Sequence, residues 1–135
     1  DGIHLEIDTA GGSVYDDMVN YVELPLSGGS VGVLQDHAPM LGAVESGVVT
    51  ARKSDGTEAF IAVDLGVANV VHNEATLLVR TAERAENIDL PRAEAAEHRA
   101  RERLDDKAGG WDMKRAQIAL HRAIARQTAV RMMKK

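Results

Sequence analysis

The feature that most constrains the fold is a change of sequence pattern across Thr81–Ala93. Before this segment the chain is acidic and rich in glycine and β-branched residues. After it the chain is basic and rich in alanine, and its apolar residues recur with the spacing of a helix. Residues 1–86 hold 4 Lys+Arg and 14 Asp+Glu, a net charge of −10, whereas residues 87–135 hold 12 and 7, a net charge of +5. The sequence therefore predicts two parts: an acidic β-sheet body, 1–86, and a basic helical arm, 87–135.

Composition excludes several classes of protein. The 135 residues contain no cysteine, which excludes a disulfide framework, thiolate catalysis and Cys-type zinc sites. No apolar run approaches the roughly 18–20 residues of a membrane span. The first residues also lack the basic and apolar regions of a signal peptide. We therefore expect a cytosolic protein.

The acidic half is predicted to form short strands. Ile3, Leu5 and Ile7 alternate with polar residues, the period-two pattern of a half-buried strand. The further predicted strands are Val19–Leu24, Val31–Leu34, Val48–Arg52, Ala59–Val63, Val67–Val71 and Ala75–Arg80. The predicted turns between them are Gly11–Ser13, Ser27–Ser30, Ser54–Thr57 and His72–Glu74. Asp55-Gly56 indicates a hairpin, because glycine adopts the positive φ of a tight turn. This spacing favours an N-terminal antiparallel β-sandwich.

The basic half is predicted to form two helices. Asp89 is a suitable N-cap for the first, and Pro91 is tolerated in its first turn. Its apolar face is Leu90, Ala93, Ala96, Ala100 and Leu104. This helix must end by Gly109-Gly110, after which Asp112 caps a second helix. The apolar face of the second helix is Met113, Ala116, Leu120, Ala123 and Ala129 or Val130. The short glycine turn predicts a C-terminal antiparallel two-helix hairpin.

No motif indicates a catalytic residue or a metal ligand. Gly28–Gly32 matches G-x-S-x-G, but a nucleophile elbow requires a following helix and a much larger fold. A glycine-rich turn is expected there instead. The five histidines lack the spacings of metal ligands, and no phosphate-binding P-loop occurs. We expect no enzyme activity of the chain by itself.

The arginines of the arm are the strongest local signal. Arg92, Arg99 and Arg103 share one face of the first helix through spacings of seven and four. The same spacings recur on the second helix, at Arg115, Arg122 and Arg126. A hairpin turned at Gly109-Gly110 places the two rows side by side. Either neighbouring acids such as Glu94, Glu97, Glu102 and Asp105 interleave with them on a solvated face, or the arginines form a site for a polyphosphate anion.

The chain resembles the epsilon subunit of bacterial F-type rotary ATP synthase over essentially its whole length. The resemblance rests on the opening strand Ile3–Ile7, on Gly32–Leu41 with its His37-Ala38-Pro39 core, and on Thr81–Glu86 leading into the hairpin. Proline makes Asp36–Pro39 a rigid corner between strands.

That family is a non-catalytic part of the central stalk. The resemblance implies that the sandwich binds the gamma subunit and rests on the ring of membrane c subunits, coupling rotation to proton flow. The implied contact residues are Ser30, Val31, Gly32, His37 and Pro39. An extended arm would reach acidic loops on the catalytic beta subunits and block ATP hydrolysis. The expected location is the cytoplasmic face of the bacterial membrane, peripheral and through the complex.

In some bacterial members of the family the folded arm binds ATP through an I/L-D-x-x-R-A motif, which Ile88–Ala93 matches. The implied nucleotide-binding residues are Glu83, Ile88, Asp89, Arg92, Ala93, Arg99, Arg115, Arg122 and Arg126. ATP is therefore the expected regulatory ligand, and no cofactor is required.

Three departures from the family pattern, and two other functions, are left open. Ser30 replaces a common acid, Gln35-Asp36 a common Pro-Gly, and Val63–Gly66 a Ser-Gly-Gly run, so contacts at these places are expected to differ. One alternative is a purely structural coupling subunit without nucleotide binding or inhibition. The other is a nucleic-acid-binding module with a basic arm. The overall acidity and the scarcity of aromatic residues oppose it.

Overall fold

The computed structural model describes residues 2–135, in which β-strands come first and helices follow. The strands are β1 Ile3–Thr9, β2 Gly12–Val19, β3 Tyr21–Leu26, β4 Gly29–Leu34, β5 Met40–Val44, β6 Gly47–Arg52, β7 Glu58–Val63, β8 Gly66–Val71, β9 Glu74–Val79 and β10 Ala82–Arg84. The α-helices are α1 Leu90–Asp105 and α2 Met113–Met133, with short 3₁₀ turns at Ala85–Asn87 and Lys107–Gly109. No helix within residues 2–135 is both long enough and apolar enough to cross a membrane.

The strands form one sheet that curls until its two ends meet. The strand order is β10-β7-β6-β3-β5-β8-β9-β1-β2, and β4 pairs with β3. β1 and β9 pair in parallel, while the other pairs are antiparallel. Arg84 on β10 donates from Nε to the Val14 carbonyl on β2 at 2.9 Å. The result is a nearly closed sandwich, as the sequence predicts.

The interior of the sandwich follows the predicted alternation. Ile3, Leu5 and Ile7 are fully buried, and similar apolar residues of the other strands complete one core. The predicted turn at Asp55-Gly56 joins β6 to β7, with Gly56 at φ 88°. His72 and Asn73 both have positive φ, so they form the tight two-residue turn between β8 and β9.

Some strand boundaries were predicted wrongly. The run Val19–Leu24 is divided between β2 and β3, because the chain turns at Asn20, whose N–H donates to the Arg52 carbonyl at 2.7 Å. The predicted turn at Gly11–Ser13 falls partly inside β2, which begins at Gly12. The strands β2, β5 and β10 were not predicted, since aspartate, glycine and charged residues weaken their local signal. Pairing with neighbouring strands overrides that weak propensity.

The arm is the predicted helical hairpin. Asp89 caps α1 by accepting the Arg92 N–H at 3.2 Å, and Asp112 caps α2 by accepting the Arg115 N–H at 3.1 Å. The helices are in contact along their length. The alanines buried on their predicted apolar faces are Ala93, Ala100, Ala116, Ala123 and Ala129.

α2 also packs on the sandwich, through Ala129 of the predicted apolar face and through Ala125, which the sequence did not place on that face. Ala125 and Ala129 lie against Ala62 of β7 and Ala85, with Val48, Phe60 and Ile88 at the edge of this cluster. Alanine lets a helix approach a sheet closely, but each buried methyl contributes only about 0.8 kcal/mol. The contact between arm and sandwich is therefore close but weakly apolar.

Candidate functional site

A cleft runs between the two helices of the arm, and its rim is built of arginines. Its volume is about 320 Å³. Small residues form its base: Ala96, Ala100, Ala119 and Ala123. The arginines around it, which together define the arginine cleft, are Arg92, Arg99 and Arg103 of α1 and Arg122 and Arg126 of α2. Five of the six arginines in the two predicted rows are thus brought together, and Arg115 is the exception.

Most of this positive charge is not neutralised by protein carboxylates. Among the cleft arginines, only Arg126 forms an ion pair within 4.0 Å in residues 2–135. The acids that were expected to interleave pair elsewhere: Glu97 binds Arg101, and Glu102 binds His98. Arg103 instead lies over the ring of Trp111, with Cζ 4.8 Å from the ring centroid. Interleaving of Glu97 and Glu102 with the cleft arginines is therefore not observed, whereas Arg92, Arg99 and Arg103 are exposed, as on a solvated face.

A second cavity lies beside the arginine cleft, against the sandwich. It measures about 370 Å³ and is lined by Arg122 and Arg126 of the cleft together with sandwich residues, among them Thr81 and Glu83. Arg126 donates from Nε to Glu83 Oε1 at 2.9 Å, and both side chains are partly buried. The arginine cleft and this cavity thus share Arg122 and Arg126, which lie between the arm and the sandwich.

The hairpin is held closed by a buried polar contact behind the cleft. Gln127 is 4% exposed and donates from Nε2 to Glu97 Oε1 at 2.6 Å. Its own Oε1 accepts from Arg131 Nη2 at 3.1 Å. The hydrogen bond from Arg101, followed by that from Gln127, lowers the pKa of Glu97 from its ordinary value. Sequence reasoning missed Gln127, because nothing in a helical pattern shows which glutamine faces a neighbouring helix.

The remaining residues that were predicted to bind nucleotide have structural roles around the arginine cleft. Ile88 packs against the alanine cluster, Asp89 caps α1 and Ala93 is fully buried. Arg115 shares the face of Arg122 but lies about 10 Å along the helix axis from it, at 1.5 Å per residue. Arg115 is not among the residues that line the cleft, whereas Arg103, which the motif did not include, is.

The predicted partner-binding residues lie at opposite ends of β4. Ser30, Val31 and Gly32 follow the β3–β4 turn, and Gly32 packs so closely on Tyr21 that a Cβ would lie 2.8 Å from its hydroxyl. His37 and Pro39 lie in the corner after β4, as predicted. Asn73 holds that corner by accepting the N–H of Asp36 at 2.6 Å. The two groups therefore belong to two separate surfaces.

An exposed apolar patch on the sandwich was missed by sequence reasoning. Leu41 is 76% exposed, Leu78 57% and Val67 47%. They lie on adjacent strands β5, β8 and β9, where Val67 pairs with both Ala43 and Leu78. The strand pattern around these residues does not show which face of the sheet each side chain lies on. Only the folded structure shows that the three side chains lie together on the outer face. Contiguous apolar surface of this kind is typical of a protein-binding face.

One group of metal-type donors converges within residues 2–135. His4, Glu6 and Asp16 have ligand atoms within 4.8 Å of one another on the outer face of β1 and β2. His4 is hydrogen-bonded to Asp16 and Glu74, which raise its pKa from 6.5. Both ring nitrogens of His4 therefore already have hydrogen-bond partners among the carboxylates of the protein.

Comparison with known proteins matches residues 2–130 to one family. The model for the "ATP synthase, Delta/Epsilon chain, beta-sandwich domain" matches residues 2–85, and that for its "long alpha-helix domain" matches residues 86–130. The ATP synthase epsilon chain of Priestia megaterium is 41% identical over 105 residues, covering 78% of each chain. That of Desulfitobacterium hafniense is 39% identical over 127 residues, covering 94% of this chain and 95% of the relative.

Solved structures agree in fold. A chain of the Euglena gracilis mitochondrial ATP synthase aligns with a TM-score of 0.79 at 19% identity, covering 96% of this chain and 81% of that one. A chain from the central stalk and c-ring of the Tetrahymena thermophila enzyme aligns with a TM-score of 0.55 at 13% identity, covering 99% and 95%. At these identities the likeness concerns the fold alone.

Proposed function

Since the chain belongs to the ATP synthase delta/epsilon family, we propose that it is the non-catalytic epsilon subunit in the central stalk of a bacterial F-type ATP synthase. The structural neighbours come from an F1/c-ring complex and from a central stalk with its c-ring, which supports this position. In that position the subunit couples the rotor to the catalytic head during proton-driven ATP synthesis. It is attached to the cytoplasmic face of the membrane only through the complex.

Two surfaces of the sandwich fit the two partners of such a subunit. The turn before Ser30–Gly32 projects from one end of β4 and would contact the c-ring. The corner with His37 and Pro39 lies at the other end, and β5 with the exposed Leu41 follows it directly. We assign the gamma subunit to this corner and to the adjoining apolar patch. A large apolar contact suits a permanent partner, because burial of such surface is the main gain in stable association.

The arginine cleft is assigned to ATP. The observation that carries this assignment is that four arginines of the cleft have no carboxylate partner among residues 2–135, and that they lie where two helices and the sandwich meet. One arginine guanidinium group can donate two hydrogen bonds to two oxygens of the same phosphate. A triphosphate is long enough to contact arginines of both helices at once. Glu83 and Arg126 would then close the sandwich side of the site.

Binding at this place would clamp the folded arm. The arm is held to the sandwich mainly by alanines, so its folded and extended positions should differ by only a few kcal/mol. A ligand selective for the folded arm adds about 1.4 kcal/mol for each tenfold excess over its dissociation constant. When ATP is scarce, the released arm, with its net charge of +5, would reach acidic loops of the beta subunits and inhibit hydrolysis.

Nucleotide binding is tested by calorimetry on the full chain. Arg92→Ala with Arg126→Ala should weaken ATP binding at least about tenfold, because two of the guanidinium groups that line the cleft are lost. Lys114→Ala with Lys134→Ala removes the same charge from exposed positions of the same arm and should leave the affinity unchanged. If the two double variants bind ATP equally well, the cleft is not the site.

The stalk and inhibitory roles are tested by ATP hydrolysis of an alpha–beta–gamma core. The core is assayed with the full chain and with the chain cut after Glu86. Inhibition by the full chain alone, with both forms bound to gamma, supports the regulatory arm. Binding of both forms without inhibition supports the purely structural alternative. If neither form binds gamma, the position in the stalk is wrong.

A further inference from the structure

One strand of the sandwich has a free edge. β4 pairs with β3 along its whole length, and with no other strand in residues 2–135. The strands at the two ends of the sheet, β10 and β2, instead meet where Arg84 donates to the Val14 carbonyl. The curled sheet therefore covers its two ends but leaves the outer edge of β4 open.

The pairing register shows which backbone groups lie on that edge. The pair that flanks the two-residue turn between β3 and β4 exchanges both hydrogen bonds of a tight hairpin. Because bonded and non-bonded pairs alternate in an antiparallel ladder, Ser30, Gly32 and Leu34 direct their N–H and C=O groups away from β3. The Leu34 carbonyl accepts the His37 N–H at 3.2 Å. Three N–H groups and two carbonyl groups of β4 are therefore available to another strand.

The sequence of β4 does not protect this edge. Exposed edge strands usually carry lysine, proline, an inward-pointing charge or a bulge, which prevents pairing with another chain. Gly29–Leu34 contains no charged residue and no proline, and its register with β3 is continuous. Ser30 and Gly32 are exposed and have little or no side chain to shield the backbone, while Leu34 is 61% exposed. An edge with these properties is a template for an added strand.

We propose that β4 binds an extended segment of the gamma subunit as an additional β-strand of the sandwich. β4 is about 20 Å long and ends at the corner with His37 and Pro39, so a partner seated on that corner reaches the edge directly. Residues 1–86 carry a net charge of −10, which favours a neutral or basic segment over an acidic one. This mode of binding rests on the stalk position proposed above, to which it adds backbone hydrogen bonds along β4.

The test is hydrogen exchange of the full chain, free and bound to the alpha–beta–gamma core, with mass-spectrometric fragmentation that resolves single amides. In the free chain the amides of Ser30, Gly32 and Leu34 should exchange fast, because they lack a partner on β3. In the complex their exchange should slow at least about tenfold. If the chain binds the core while these three amides keep their free rates, strand addition is wrong although the stalk position stands. If the chain does not bind the core, the stalk position itself is wrong.

A matched pair of variants separates the backbone contact from the side-chain contact. Leu34→Pro removes an N–H that points away from β3, so the hairpin keeps its own hydrogen bonds. Leu34→Ala loses the same side chain but keeps the N–H. Leu34→Pro should bind the core about fivefold more weakly than Leu34→Ala, while the β3 amides of both free variants exchange at the wild-type rate.

Two further results would overturn the assignment to gamma. One is equal affinity of the two Leu34 variants for the core. The other is protection of the same three amides in the free chain as its concentration rises, together with a dimer in sedimentation. That result would assign the β4 edge to a second copy of this chain.

Discussion

Replacing Gln127 with alanine tests how the hairpin is held closed. The side chain is almost fully buried between the helices, where it donates to Glu97 at 2.6 Å and accepts from Arg131 at 3.1 Å. Only the bond to Glu97 joins the two helices, because Arg131 lies on α2 with Gln127. A hydrogen bond to a charged group contributes about 1.5–3 kcal/mol net, so its loss should cost about 2 kcal/mol. The higher helix propensity of alanine offsets only a few tenths of a kcal/mol of this loss in stability.

Hydrogen exchange measured by mass spectrometry reports this cost at the right place. If the arm opens before the sandwich unfolds, amides of α1 exchange through that local opening. A loss of about 2 kcal/mol then accelerates their exchange about 30-fold. Amides of the central strands β3 and β6 should exchange at the wild-type rate, because the sandwich core does not include Gln127.

Gln117 provides the matched control. It is the same residue type on the same helix, but it is exposed. Gln117→Ala should therefore change α1 exchange by less than about twofold, consistent with the small effect of most surface substitutions. If Gln127→Ala and Gln117→Ala accelerate exchange equally, the buried contact does not hold the hairpin, and the explanation given for its closure is wrong.

Three further predictions concern single features of the fold. Asp89→Ala removes the α1 N-cap and should lower the unfolding free energy by about 1 kcal/mol in urea melts; no change would mean that the cap is not formed in solution. Gly66→Ala would bring a Cβ within 2.7 Å of a Cα on β9 and should cost about 3 kcal/mol. Gly11→Ala, whose Cβ would lie 3.6 Å from its nearest neighbour, should leave the unfolding free energy nearly unchanged. If both variants lose the same unfolding free energy, the clash at Gly66 is not the cause. The raised pKa of His4, caused first by its hydrogen bond to Asp16, implies stabilisation that is present below pH 6.5 and lost as the pH rises through the folded pKa. The stability difference between wild type and Asp16→Asn should shrink across that range, and a constant difference would contradict this.

Most secondary structure follows from local signals, and the exceptions show their limits. Asp89 and Asp112 mark both helix starts because a capping side chain acts within three residues. The strands β2, β5 and β10 carry weak local signals and form because long-range partners pair with them. The run Val19–Leu24 was read as one strand, since propensity alone does not reveal a turn at Asn20.

The candidate site was predictable only in part. Helical spacing alone predicts that Arg92 and Arg99 share a face, and that Arg122 and Arg126 share another. Which acids meet them depends on how the helices are rotated about their axes. In the folded protein Glu97 turns to Gln127 and Arg101, while Glu83 arrives from the sandwich, more than forty residues away in sequence. Arg115 has the right spacing but lies too far along the axis to line the cleft.

The sequence by itself determined the two-part architecture, the opening strand, the helix caps and the two arginine rows, because periodicity, charge and capping act between near neighbours. The tertiary structure alone decided that Leu41 and Leu78 share an exposed patch. It also decided that, among the residues the structure describes, four cleft arginines have no carboxylate partner and the Asp64 carboxyl group is buried without a hydrogen-bond partner. These outcomes depend on which distant side chains the closed sandwich and the docked arm bring together. No local pattern carries that information, since burial and pairing are properties of the packed chain.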